Sequence, residues 1–364
     1  MEHLLQSARV AFPPPQYLAV PTAGIEITHS GVKFVTLKRT VKGLVVDAFG
    51  SYRYGEGVVE RGDIMEKEKM VSLLKKIAKN HQIHAANVAL PEQKSYLFQA
   101  DLGKVSAQAS LEEKTAEHIA EQVPLPPREA RFVVRPLAKV GGAQIVTGVA
   151  YARRVVQEYR NVIDAAGMML RGMESEMHAT PRAVIPFGEK TTYMVIDIGK
   201  STTKIFFIQD GTHPVFATSI TLGGHALTRA VQKHFGVTED EAKAIKRDKG
   251  IIPEEGDDEY IASMLSTLSA MRDEVTNWFR FWQERVAENH YTKPIEKVLV
   301  TGGNASVRGL PEYFAAALGV PVTLANPFVN LAPVSEVVPA IEHEQSLAYT
   351  TAIGLALRDF LSYE

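Results

Sequence analysis

One pattern occurs twice in this chain and constrains the fold more than any other feature. Residues 193–204 read YMVIDIGKSTTK, and residues 23–37 read AGIEITHSGVKFVTL. Each is an apolar strand carrying an acid, a tight turn, and a second strand that opens near a lysine. In both copies the acid stands seven residues before the lysine, Glu26 before Lys33 and Asp197 before Lys204. A hairpin used twice in this way predicts two related halves.

The later copy carries the stronger chemistry. Met194, Val195 and Ile196 predict a buried strand. Gly199 permits a turn that a side chain would obstruct. Lys200, Ser201, Thr202 and Thr203 then offer an ammonium, hydroxyls and backbone N–H groups, donors suited to phosphate oxygens. Asp197 at the strand end could hold a metal-bound water, since magnesium keeps several of its waters. Residues 295–310, IEKVLVTGGNASVRGL, form a second glycine-punctuated strand end. There a flat base could lie against the bare backbone of Gly302 and Gly303. Either stretch alone is most simply an ordinary turn. The pair, in this order and about a hundred residues apart, is far more specific.

Composition excludes several classes. The 364 residues suffice for two or more domains with real cores. A formal net charge of −2 gives no global field for nucleic acid or acidic membranes. The absence of cysteine removes disulfides, thiolate chemistry and Cys-based zinc sites, and suits a cytoplasmic protein. No apolar run approaches a membrane span, and no signal peptide is expected.

Between the two copies, residues 91–167 have a different texture. Their periodicity predicts strand 96–102, helix 111–122, strand 130–136, strand 143–150 and helix 153–166. An α+β unit of that size can bury its own core. Asp63 followed by Glu66 predicts a capping box for the next helix, and Thr238 with Glu241 predicts another. The longest helix is expected at 259–289, with Trp278, Phe279 and Trp282 in the core. The acidic stretch 254–259 is expected to be a solvated loop, and 346–361 a final helix. The Pro-rich residues 1–21 are expected to form an extended surface tail or a docking segment.

With both loops, the insertion and the closing helix in view, the chain from about residue 22 resembles the PilM family of type IV pilus assembly. These are FtsA-related members of the actin-like ATPase superfamily. The resemblance rests on the turns at 26–33 and 197–204, on Gly223 and Gly224 before a helix, on the loop 301–310, and on Ala352 to Ala356. It implies an α/β fold of the actin-like (RNase H-like) type, with duplicated domains around a nucleotide cleft. The chain would divide into a tail (1–21), a first domain (22–90, returning at 168–190), an inserted SHS2-like α+β domain (91–167), a second domain (191–344) and a C-terminal helix returning to the first (345–364).

The resemblance further implies ATP with Mg2+ in the cleft. It assigns nucleotide contacts to Ser30, Lys33, Gly223, Gly224, Lys246, Asn304 and Arg308, beside Asp197, Gly199 to Thr203, Gly302 and Gly303. Metal contact would fall to Asp197 and Glu26. It implies that the inserted domain grips the N-terminal peptide of a membrane-anchored PilN-type partner. The protein would be cytoplasmic, peripheral at the inner membrane face, and linked to motor ATPases. A membrane helix after 361 is not expected.

Three departures bear on the nucleotide. Thr28 replaces the glycine of the first phosphate turn, and a β-branched residue disfavours positive φ. Glu26 stands where Asp is common. Lys243 stands where the family has a Glu facing the ribose, with Glu239 and Glu241 nearby as substitutes. No residue is assigned as a catalytic base. A pseudo-ATPase scaffold that binds no nucleotide and an actin-fold small-molecule kinase stay open as alternatives.

Overall fold

The repeated hairpin seeds two sheets of one topology. The protein is described from a computed structural model covering residues 22–105, 110–252, 256 and 258–361. Residues 1–21, where a tail is expected, and 362–364, where no membrane helix is expected, lie outside the described residues.

In chain order the strands begin with β1 (Thr22–Ile27), β2 (Gly31–Thr40), β3 (Gly43–Arg53), β4 (Val59–Glu60), β5 (Asp63–Ile64) and β6 (Ala85–Leu90). Then come β7 (Ser95–Asp101), β8 (Ala130–Val140), β9 (Ala143–Ala152) and β10 (Met169–Ser175). Last are β11 (Tyr193–Ile198), β12 (Thr203–Gln209), β13 (His213–Ile220), β14 (Lys297–Thr301) and β15 (Val322–Leu324). The first sheet runs β3-β2-β1-β6-β10 and the second β13-β12-β11-β14-β15. In each, the first three strands are an antiparallel meander and the last two join in parallel. Register confirms the repeat, because Glu26 faces Lys33 across one hairpin and Asp197 faces Lys204 across the other.

The helices are α1 (Lys67–His81), α2 (Leu111–Gln122), α3 (Arg153–Ala165), α4 (Glu176–Val184), α5 (Gly224–Phe235), α6 (Glu239–Lys249), α7 (Asp258–Glu288), α8 (Leu310–Leu318) and α9 (Thr350–Leu357), besides a short turn His343–Ser346. The three- and four-residue spacing in α7 buries Met264, Leu268, Met271, Val275, Phe279 and Trp282. Trp282 stacks on Phe207 of β12 at 4.8 Å and 16°, which anchors α7 to the second sheet. Thr238 caps α6 with the expected reciprocal bonds to Glu241. Helix α9 lies against β1 and α4. A Cβ at Gly354 would stand 1.7 Å from the Ala179 carbonyl oxygen, so only glycine lets these two helices approach so closely.

Strands β7, β9 and β8 form a third sheet within the inserted stretch. Strand β9 is almost uncharged because its alternate residues serve two cores. Val146 and Ala150 pack with Phe98 and Ile119 in a small separate cluster, while Val149 and Tyr151 join the main core. The Thr147 hydroxyl donates to the Pro214 carbonyl (3.0 Å) and the Gln99 amide to Val215 (3.2 Å), tying this sheet to β13.

Three sequence expectations are corrected. Asp63 does not cap α1. It lies in β5 and pairs with Lys94 and Arg154, and Glu66 precedes the helix without a side-chain cap. The final helix is not continuous from 346, because a 3-10 turn at Leu347–Tyr349 interrupts it and α9 ends at Leu357. Asp258 and Glu259 belong to the first turn of α7, where acids favour the helix dipole, and not to a loop. Residues 253–255 and 257 lie outside the described residues.

Candidate functional site

Parallel pairing of β11 with β14 sets Asp197 beside Thr301, so both glycine-punctuated ends leave the second sheet side by side. The Gly199 N–H donates to the Thr202 carbonyl (2.9 Å), closing the turn. Gly199 does not have positive φ. A Cβ there would stand 2.9 Å from the Thr202 oxygen, so the glycine supplies room. Gly302 does have positive φ (96°), and its missing Cβ would fall 2.3 Å from Asp197 Oδ1. Asn304 joins the bends, donating from its backbone to Ile198 O (3.1 Å) and from Nδ2 to Gly199 O (3.1 Å).

Helix α5 abuts the same turn. Its Gly224 and His225 N–H groups are taken by the carbonyls of Gly199 (3.0 Å) and Lys200 (2.9 Å), and a Cβ at Gly223 would stand 2.6 Å from Lys200 O. Lys246 reaches in from α6. Its buried ammonium donates to Gly224 O (3.0 Å), Thr228 Oγ1 (3.0 Å) and Asn304 Oδ1 (2.9 Å), and burial lowers its pKa to about 8. Asp197, Gly199 to Thr202, Gly223, Gly224, Lys246, Gly302, Gly303 and Asn304 thus share one neighbourhood. Lys200 and Ser201 are exposed there. The Thr203 hydroxyl is turned away, donating to Leu222 O (2.7 Å). Arg308 is exposed at the end of the loop, its carbonyl accepting from Ile251 N (2.8 Å).

Glu26, Ser30 and Lys33 come from the first hairpin. Lys33 Nζ lies 3.3 Å from Glu26 Oε2. Lys243 pairs with Glu239 (2.8 Å) and Asp240 (3.0 Å), and Glu241 is spent on the α6 cap.

Sequence reasoning missed three groups between the two hairpins. Lys204 forms an ion pair with Glu176, which opens α4 at the end of β10. Glu92, just past β6, is buried and accepts from the Ser95 hydroxyl (2.6 Å) and Met177 N (3.3 Å). Burial pushes Glu176 up to about 7 against the pull of Lys204. Burial, with Glu26 adding to it, also raises Asp197, and burial raises Glu92. Burial opposes the charge on Lys204, yet Glu176, Asp197 and Glu26 together hold its ammonium well above the ordinary lysine value. Four carboxylates therefore face two lysines. No group of three or more His, Asp or Glu among the described residues is arranged to hold a metal ion by itself. The two missed acids had a sequence signal: like Glu26 and Asp197, Glu92 and Glu176 lie at or just past the C-terminal ends of strands, where open α/β sheets place their sites.

A cavity of about 300 Å³ lies away from these turns, where the third sheet meets the first half. Lys94, Tyr96, Leu125, Glu129, Ala152, Arg153, Arg154 and Val155 line it. Among the described residues no helix is long and apolar enough to cross a membrane.

Comparison with known proteins places this architecture. The family model described as type IV pilus assembly protein PilM matches residues 24–360. A solved PilM-PilN type IV pilus biogenesis complex contains a chain 21% identical, with a TM-score of 0.76 over 94% of this chain and 99% of that one. MreB5 of Spiroplasma citri bound to ADP is 14% identical, with a TM-score of 0.52 over 91% of this chain and 94% of that one. The ethanolamine utilization protein EutJ from Carboxydothermus hydrogenoformans is 18% identical, with a TM-score of 0.51 over 95% and 90%. These likenesses show an actin-like fold.

Proposed function

The chain belongs to the type IV pilus assembly protein PilM family, and on that premise we propose that it is a nucleotide-binding scaffold holding the N-terminal peptide of a PilN-type membrane protein. The observation that carries the partner reading is the cavity at the base of the third sheet. Tyr96, Leu125, Ala152 and Val155 give it an apolar floor, and Arg153 stands at its rim with Glu129, beside Lys94 and Arg154, which share Asp63. A short extended peptide with aliphatic side chains, its backbone carbonyls turned toward the basic side chains, suits that lining. The bound partner would bring the protein from the cytoplasm to the inner membrane face, where it would meet the motor ATPases.

In the same reading ATP occupies the neighbourhood of the second hairpin and Asn304. The donor set fits: Lys200, Ser201 and Thr202 would face phosphate, and Gly302 with Gly303 would lie under the base. Asp197 would orient the waters of magnesium, which needs few protein ligands when phosphates supply the rest. The surplus of acid over lysine around Lys204 favours a cation. A scaffold without nucleotide is the second reading, favoured by Lys243, which is already paired with Glu239 and Asp240.

Fluorescence anisotropy with a labelled N-terminal peptide from the cognate partner tests the first claim. Binding should be saturable, and Arg153→Glu should weaken it about tenfold or more, as expected when a contact of about 1.5 kcal/mol is lost and a repulsion added. Equal binding by both proteins would refute this location, and no binding by either would refute the partner.

A further inference from the structure

The two hairpins differ at one turn position, and that difference decides which can take an anion. Register aligns Thr28 with Gly199, His29 with Lys200, Ser30 with Ser201 and Gly31 with Thr202. The turns close identically, by Thr28 N to Gly31 O (2.9 Å) and Gly199 N to Thr202 O (2.9 Å). At Thr28 a hydroxyl is added. Its Oγ1 accepts from Ser30 N (3.2 Å) and donates to Gly31 O (3.0 Å). The first turn is pinned further by His29 Nδ1 against Val59 O (2.9 Å) and by the Tyr54 hydroxyl on the Thr28 carbonyl. Thr28 is not among the described residues with positive φ, so its backbone is unstrained and the hydroxyl bonds come without cost. Gly199 has no such group, and the equivalent amide of Ser201 is left to an incoming acceptor.

We infer that the first hairpin is self-capped and that a nucleotide would be held through its phosphates by the second hairpin alone. This rests on the nucleotide reading given above and adds what that site discriminates. On that reading the first turn could add to the recognition of a terminal phosphate only by donating a free N–H to it. With the Ser30 amide occupied, the γ-phosphate gains no partner from the first half. The site therefore takes nucleoside di- and triphosphates alike. The halves are already bridged by protein groups, Lys204 of β12 with Glu176 of α4, so they do not depend on a phosphate tail to join them. Exchange of triphosphate for diphosphate then does not switch the protein, because two ligands held through the same contacts bias its states equally.

Calorimetric titration of the full chain with Mg·ATP and Mg·ADP tests this, using wild type, Thr28→Gly and Thr28→Ser. Wild type and Thr28→Ser, which keeps the hydroxyl, should bind both nucleotides within about threefold. Thr28→Gly should bind ATP about tenfold more tightly than ADP, the gain of one charge-assisted hydrogen bond. A wild type that binds neither nucleotide while Thr28→Gly binds ATP overturns the inference, because the second hairpin then does not hold a nucleotide alone. A wild type preferring ATP tenfold or more overturns the inference and keeps the nucleotide reading. A Thr28→Gly protein that melts with wild type yet shows no ATP preference overturns the inference too. No binding by any of the three overturns both.

Discussion

Replacing Lys204 with methionine removes the one ammonium that Glu176, Asp197 and Glu26 share. The volume is nearly kept, and the charge balance changes from four carboxylates against two lysines to four against one. Breaking a buried pair from one side costs about 3–5 kcal/mol, because the remaining charge has no partner. The pH dependence is the sharper consequence. A carboxylate whose folded pKa is raised binds its proton more tightly when folded, so stability falls as pH rises from the unfolded carboxylate range through the folded value. In the wild type burial raises Glu176 to about 7, and its contribution levels off above that pH. Without Lys204 its folded pKa moves higher, and the decline of about 1.4 kcal/mol per pH unit continues. Between pH values roughly two units apart above neutrality the variant should lose about 3 kcal/mol more than the wild type. Lys204 itself, held above its ordinary value, titrates beyond this window. Urea denaturation followed by tryptophan fluorescence at several pH values reads the difference directly. Curves that stay parallel for the two proteins would refute the coupling of Lys204 to these acids.

Other outcomes follow from single contacts. Gly354→Ala should lower the unfolding free energy by more than about 2 kcal/mol, since its Cβ would collide with the Ala179 carbonyl and force α9 from α4; thermal melts check this. Trp282→Ala should cost about 3–5 kcal/mol by emptying the stack on Phe207, measured by urea titration read through far-UV circular dichroism. Lys246 has a lowered folded pKa of about 8, so wild-type stability should rise with pH from there toward the free-lysine value. Melts of Lys246→Met across that range should lack the rise.

Local chemistry made much of the fold legible. The hairpin turns, the Thr238 cap and the apolar face of α7 depend on residues a few positions apart, and they stand where expected. Asp63 shows the limit. Its spacing to Glu66 satisfies a capping rule, but Lys94 and Arg154, far along the chain, claim the carboxylate. Glu92 and Glu176 were opaque for a related reason. Glu92 follows the apolar β6 and Glu176 the mixed strand β10, and only the strand order gathers them around Lys204. Thr28 was legible as a departure. What its hydroxyl does could be seen only once the turn had closed.

The placement of α9 has a consequence for biosynthesis. Asn87 of β6 donates to the Leu355 carbonyl (3.2 Å) across 268 positions, and Gly24 of β1 lies where a Cβ would be 2.0 Å from the Ala352 oxygen. The segment that roofs β1 and β6 is thus translated some 268 positions after β6. Until it emerges, the nascent chain carries an unroofed apolar surface, and interruption of synthesis in that interval leaves the surface bare and open to aggregation.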